Sequence, residues 1–291
     1  MNSIFRYPGG KSRLRARIMS LAPAHFAEYR EPLAGGGWVF FGIPKGKRRW
    51  INDKDESLMA VYRALRDDPV KFIRACQQIK PLEAGEGNER LKAVFDQFAK
   101  EGSMDLALRY YFLHRITFGG LPSRIHYGAV HPSNQEGWNI VTTDRLWQAA
   151  GLLCNVNITA GDYLPLLQAP GDDVWVYCDP PHYVNTRLGK HSQVYAHVFS
   201  EEQHVLFAEH VRACPHKVLV TYDGEEPFIR GLYSDSRFRL YTEDVVYVLR
   251  RDGMNAKELL ITNYDPPQDE DRMTRNTADH PGSFLSLSAC W

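Results

Sequence analysis

The run Val174-Trp175-Val176-Tyr177-Cys178 constrains the fold more than any other stretch of the chain. Its first four residues are β-branched or aromatic, the types that fit a pleated strand. Neither face of this strand is written for water, so it belongs inside a parallel sheet with helices covering both sides. The run then stops on Asp179, Pro180, Pro181, His182 and Tyr183. A strand-terminating Pro-Pro turn is one reading of that ending. A carboxylate, a rigid corner and two rings at the end of a buried strand also suit chemistry on a flat, planar substrate.

The rest of the chain carries the matching rhythm. Leu14, Ile18 and Leu21 share one face of a predicted helix, and Pro23 follows its end. "AEYRE" reads as a strand entering the glycine loop Gly35-Gly36-Gly37, and "KRRWIND" as a second strand ending on Asn52-Asp53. Leu58, Val61, Tyr62 and Leu65 form the next apolar face, which stops before Pro69. Residues 70–150 lack strand alternation, and within them Met104 to Arg115 reads as helix. From Asn155 the alternation resumes, with a strand reaching Gly161-Asp162, the buried strand, and a helix opened by the capping box Ser200 to Gln203. "KVLVTYD" is another strand, and two terminal strands pair around Asp252-Gly253. The sum predicts an α/β doubly wound sheet with a mainly helical insertion. Residues 1–68 and 151–265 form its core domain, 69–150 the insertion, and 266–291 a polar tail.

Composition excludes several classes. At 291 residues and 44% hydrophobic, the chain can bury a sizeable core. No stretch approaches the roughly 18 apolar residues of a membrane span, and the N-terminus lacks a signal-peptide apolar region. A cytoplasmic protein is expected. Five scattered cysteines without a C-x-x-C read as reduced thiols rather than a zinc site. The eleven histidines show no metal-ligand spacing, so no metal is expected. Lys+Arg and Asp+Glu balance at 35 each, so a nucleic-acid partner would need a local basic surface.

In open α/β sheets, ligands sit outside the carboxyl ends of the strands. Here those ends carry Glu31 to Gly37, Asn52 to Asp55, Ala160 to Tyr163, and Asp179 to His182. The glycines let a ligand approach the backbone, and an acidic residue about 20 residues on, Asp53, suits the two hydroxyls of a ribose. A glycine run alone is equally a tight turn; the spacing to Asp53 favours a ligand. Trp38, Val39 and Phe40 follow the third glycine, where a phosphate-binding helix wants a small residue. That points to a nucleoside ligand without a pyrophosphate, and S-adenosylmethionine fits. Methylating an exocyclic amino group requires freeing a nitrogen lone pair delocalised into a ring. The Asp179 carboxylate and the Pro180 carbonyl, accepting its two N–H bonds, push that nitrogen toward tetrahedral geometry. Pro181 keeps Pro180 extended, and a ring at position 182 can stack on the base.

Three segments, "FRYPGGKSRL", "EPLAGGGWVFF" and "CDPPH", resemble in this order the F-x-x-x-G-G-K, P-x-x-G-x-G-S and D-P-P-Y motifs of the Dam-like (D12 class) DNA N6-adenine methyltransferases. The similarity covers about residues 4–264. It implies a Rossmann-like doubly wound methyltransferase sheet with a helical target-recognition insertion. It also implies S-adenosyl-L-methionine as cofactor, double-stranded DNA as partner, and transfer to N6 of a flipped-out adenine by a monomer or weak dimer. A phage-encoded member would work in the host cytoplasm.

Carried over by position, Tyr7 packs near the cofactor and Lys11 holds its methionine part. Glu31, Pro32, Ala34, Gly35 and Gly37 form its loop, Asp53 binds its ribose and Asp162 lies near its adenine. Asp179 is catalytic and close to the cofactor, together with Pro180, Pro181 and His182. "FLHRITFGGLPSR" resembles the family's recognition segment, which makes Arg115, Phe118, Gly119, Gly120, Leu121 and Arg124 DNA contacts. Arg124 is the base reader, since guanine offers two major-groove acceptors to one guanidinium fork. Arg187, Lys190 and His191 are phosphate contacts.

Two positions depart from the family. Gly119 replaces the usual Asn, so GATC recognition is not carried over. His182 replaces Tyr, with Tyr183 as the alternative stacker. Because an unperturbed histidine titrates near about 6.5, activity is expected to fall as pH drops through that value. A non-catalytic DNA-binding relative and a cytosine N4 methyltransferase are the competing readings. Related cytosine enzymes more often carry Ser in place of Asp179.

Overall fold

The computed structural model describes residues 1–5, 11–79, 102–116, 143–183, 199–224, 226–246 and 255–267. Seven strands are present among them: β1 (Glu28–Glu31), β2 (Arg48–Asp53), β3 (Val156–Ala160), β4 (Val174–Cys178), β5 (Lys217–Asp223), β6 (Arg239–Val246) and β7 (Asn255–Thr262). They form one sheet in the order β3-β2-β1-β4-β5-β7-β6. Neighbours from β3 to β5 are parallel, whereas β7 runs antiparallel to both β5 and β6. The sheet is therefore mostly parallel, and the terminal hairpin is the pair expected from the sequence.

The two-sided strand is where the sequence puts it. Every residue of β4 is buried, and its side chains alternate between two layers. Trp175 and Tyr177 enter one apolar cluster; Val174, Val176 and Cys178 enter the other. The first layer holds α1 (Arg15–Leu21), α2 (Glu56–Asp67), α3 (Pro69–Gln78), α4 (Ser103–Ile116) and α5 (Thr143–Leu153). The second holds α6 (Leu164–Gln168), α7 (Glu201–Ala213) and α8 (Pro227–Leu232). Each large apolar side chain fully buried in these layers contributes about 1.5–3 kcal/mol. Trp175 packs at 5.2 Å from the Phe26 ring and 5.3 Å from Tyr29, closing the first layer over the centre of the sheet.

The described helices of the 69–150 segment share the first cluster with α2. Ala107, Leu108, Tyr110, Tyr111 and Phe112 of α4 are all buried there. Phe5 supplies a further link, with Tyr62 of α2 and Tyr110, Tyr111 and His114 of α4 around its ring.

Helix starts follow local chemistry. Asp55 accepts the orphan N–H groups of Ser57 and Leu58, at 3.0 and 3.2 Å, and opens α2. Asp68 accepts from Lys71 N–H with Pro69 in the first turn of α3. Ser200 and Gln203 form the expected capping box at α7. Cys76, Cys178 and Cys214 are buried free thiols, as expected for these three of the five cysteines.

Asp55→Ala is expected to lower folding stability by about 1 kcal/mol through loss of the α2 cap. Equilibrium urea unfolding reads this directly as a lower midpoint.

Candidate active site at the sheet switch point

Strand order reverses between β1 and β4. The chain leaves β1 toward β2 and β3, then returns to build β4 on the other side. Such a reversal opens a crevice at the carboxyl ends of the two strands, because their connections depart in opposite directions. Glu31-Pro32 and Asp179-Pro180 stand at that crevice.

Its first wall is the glycine loop. Ala34 N–H donates to the Asn52 carbonyl at 2.9 Å, and Gly37 N–H to the Ala34 carbonyl at 2.7 Å. Gly35 and Gly37 have φ of 46° and 64°, in the left-handed region that favours glycine. A Cβ on Gly37 would also lie 3.0 Å from the Tyr62 hydroxyl. That hydroxyl donates to the Gly35 carbonyl at 2.9 Å, and the Ser3 hydroxyl donates to the Gly36 carbonyl. Asp53, at the end of β2, accepts N–H from Gly35 at 2.9 Å and from Asp55 at 3.0 Å. The loop and this carboxylate are thus one unit.

Asn52 extends the bracing to the third strand end. Its side-chain amide donates to the carbonyls of Pro32 and Gly161 at 3.1 Å and approaches that of Asp162 at 3.3 Å. Its side-chain oxygen accepts from the Thr159 hydroxyl at 2.9 Å. Asp162 itself is exposed and accepts Leu164 N–H at 2.8 Å, starting α6.

The second wall is acidic at its base. Tyr29 donates its hydroxyl to Glu31 at 2.5 Å. Burial pushes the Glu31 carboxyl up to about 8; the nearby Asp179 and Asp53 charges add to the rise, while the Tyr29 and Phe40 hydrogen bonds oppose it. Glu31 is therefore largely protonated near neutral pH.

Asp179 leaves the end of β4 with its side chain 27% exposed. Its Oδ1 lies 3.2 Å from the Lys11 ammonium and accepts the Thr221 hydroxyl at 2.8 Å. Lys11 is buried, and its Nζ also lies 3.4 Å from both carboxylate oxygens of Glu258 on β7. Lys11, expected to hold a methionine part, is thus placed between two carboxylates. Thr221 and Glu258 were not expected from the sequence. Thr221 follows the apolar run Val218-Leu219-Val220 and Glu258 precedes Leu259-Leu260-Ile261, so a polar residue bordering a buried apolar run was the weak signal on offer.

Pro180 is buried, and Pro181 and His182 are half-buried beside Asp179. Burial pushes His182 down to about 3, and the charges of Lys11 and His204 lower it further. The expectation of an activity loss near pH 6.5 is corrected accordingly: this ring stays neutral through that range because its surroundings penalise the cation. Tyr183 lies 4.9 Å from the Phe228 ring, with its hydroxyl donating to Glu201 at 2.6 Å. It is engaged with the α7–α8 layer.

Arg115 is buried at the end of α4. Tyr7, Phe118, Gly119, Gly120, Leu121, Arg124, Arg187, Lys190 and His191 lie outside the described residues. Among the described residues, no group of three or more His, Cys, Asp or Glu could hold a metal. No described helix is long and apolar enough to cross a membrane.

This sheet, with its antiparallel seventh strand and a D-P-P corner at the switch point, is the Rossmann-like fold of a methyltransferase. The D12 class N6 adenine-specific DNA methyltransferase family matches residues 7–249, and the chain belongs to that family. It is 23% identical over 274 residues to the Type II methyltransferase M1.LlaDCHI of Lactococcus lactis subsp. cremoris, covering 89% of this chain and 94% of that protein. It is also 27% identical over 250 residues to the DNA N-6-adenine-methyltransferase of Escherichia phage P1. That match covers 82% of this chain and 32% of the phage protein, so the chain spans about a third of the phage enzyme. The resemblance read from the three motifs therefore holds.

The His182 ring is expected to show no titration between pH 8 and pH 5 when followed by NMR. Its folded pKa lies below the unfolded value of 6.5, so the unfolded chain binds more protons between those two values. Its contribution to stability is therefore lost as pH falls below about 6.5. A ring titrating near 6.5 in the folded protein would show that the site does not hold it neutral.

Proposed function

We propose that the protein methylates N6 of adenine in double-stranded DNA, using S-adenosyl-L-methionine, on a base turned out of the duplex. The observation that carries this reading is the meeting of two units at one switch point: the Asp53-braced glycine loop and the Asp179-Pro180-Pro181-His182 corner. The chain fits such a cofactor. Positive φ at Gly35 and Gly37 keeps side chains off the loop, and the oriented Asp53 carboxylate offers a pair of acceptors for ribose hydroxyls. When bound, the cofactor supplies an electrophilic methyl group on a sulfonium.

The chain's own residues prepare the nucleophile. Oδ1 of Asp179 is taken by Lys11 and Thr221, and Oδ2 has no hydrogen bond among the described residues. Oδ2 is the acceptor for one N–H of the amino group, and the Pro180 carbonyl accepts the other. Both interactions strengthen as the nitrogen pyramidalises and gains positive charge, so they stabilise the transition state more than the ground state. The nitrogen then loses one of these protons on the Asp179 side. The neutral His182 ring stacks on the extruded base. Glu31 lies beside these anions and, being protonated, spares the cleft a further negative charge. Target recognition is assigned to the segment around Arg124, with Arg187 and Lys190 on phosphates.

Labelled cofactor and mixed duplex DNA, followed by digestion to nucleosides, are expected to yield labelled N6-methyl-2′-deoxyadenosine; labelled N4-methyl-2′-deoxycytidine, or no label, would overturn the reading. Asp53→Ala is expected to weaken cofactor binding by about 2 kcal/mol, the scale of hydrogen bonds to a charged group. Calorimetry with an unchanged affinity would place the ribose elsewhere.

A further inference from the structure

The geometry points to Thr221, together with the Lys11–Glu258 pair, as the device that aims Asp179: it clamps Oδ1 and presents Oδ2 to the amino group. This rests on the reading of Asp179 as the catalytic acceptor. Thr221 and Glu258 are positioning residues, because each acts on the substrate only through Asp179.

Strand register explains why these residues meet. Cys178, the last residue of β4, pairs with Val220 of β5, so Thr221 stands level with Asp179 just beyond the strand end. Thr221 pairs with Leu260 and Asp223 with Glu258 across β5 and β7. Residues two apart share a face, so Thr221 and Glu258 project to the same side of the sheet. Tyr177 is on that side too, 3.0 Å from the Thr221 hydroxyl. Lys11, which begins the turn into α1, reaches the same side and touches both Asp179 and Glu258.

Proton counting fixes the direction of the chain. An ionised carboxylate only accepts, and a hydroxyl has a single proton. Thr221 therefore donates to Asp179 and must accept from Tyr177. Burial raises the Tyr177 pKa well above its ordinary value, so that phenol remains a donor. The relay runs from Tyr177 to Thr221 to Asp179 Oδ1, and it ends on the carboxylate that does the chemistry.

Satisfaction of buried polar groups does not by itself account for this arrangement. Asp179 is partly exposed, and water could serve its Oδ1. Instead, two fully buried donors approach that one oxygen from different elements, fixing both torsions of a side chain that would otherwise rotate. Glu258 draws the Lys11 ammonium toward β7, so the ammonium is shared rather than collapsed onto Asp179. A catalytic group displaced by about 1 Å can lose on the order of 100-fold in rate, which is the effect such clamping prevents.

Steady-state kinetics of the full chain with S-adenosylmethionine and duplex DNA test this. Thr221→Val, which keeps the shape and removes the hydroxyl, is expected to lower kcat by roughly 10- to 100-fold. KM for DNA and calorimetric affinity for the cofactor should stay within about twofold. Thr221→Ser, which restores the donor, is expected to recover most of the rate. Glu258→Gln should lower kcat in the same selective way. Should Thr221→Val fail to fold, Thr221→Ala gives the same comparison with Thr221→Ser. A kcat for the hydroxyl-free variant within about twofold of the parent, or a serine variant as slow as the valine one, would overturn the proposal. Asp179→Ala separates the two levels. If it abolishes turnover while Thr221→Val does not, only the positioning role falls; if it leaves turnover intact, the assignment of Asp179 falls.

Discussion

Two-sided burial of β4 is the constraint on which the rest of the structure depends. A strand that sends Trp175 and Tyr177 into one layer and Val174, Val176 and Cys178 into the other has no solvent along its length. Its hydrogen bonds are satisfied by β1 and β5, and it meets water only where it stops. Asp179 and the prolines stand at that stop. The Asp179 carboxylate is therefore attached to a fully buried central strand, with the Pro180-Pro181 corner directly after it.

Polar groups at the crevice are tied to neighbouring strands. Asn52 joins the ends of β1, β2 and β3 with one side chain, and Asp53 is fixed by the loop it in turn orders. Lys11, Asp179, Thr221 and Glu258 do the same for β4, β5 and β7. Two buried carboxylic groups, Glu31 and Glu258, lie beside this arrangement and are handled differently. Glu258 faces an ammonium, whereas Glu31 meets the Tyr29 hydroxyl and the Phe40 amide among the described residues, and burial pushes it toward its neutral form. Cleft charge is thus set by which partner each carboxyl meets.

His182 shows how far local chemistry is subordinate to its surroundings. An imidazole in place of a phenol suggests a titrating group, but burial beside Lys11 removes the titration from the ordinary range. What remains is a flat, neutral ring, the property a stacking role requires. Tyr183 is spent on the layer behind it, with its ring near Phe228 and its hydroxyl on Glu201.

Much of this was legible in the chain. The apolar run at Val174 announced a buried parallel strand, because two-sided burial leaves no room for alternation. The Ser200–Gln203 box marked a helix start, because a helix leaves N–H groups that only nearby side chains can reach. The glycine loop, Asp53 and the D-P-P corner were visible as strand-end motifs, and the family with them. Thr221, Glu258 and the triple reach of Asn52 were not, nor were the states of Glu31 and His182. Each depends on which strands lie side by side: Glu258 is 247 residues from Lys11, and no local rule brings them together. Sequence alone determined the periodicities, caps and corner, since these act over a few residues. Tertiary structure decided the charges and the aim of Asp179, since burial and register exist only once the sheet has assembled.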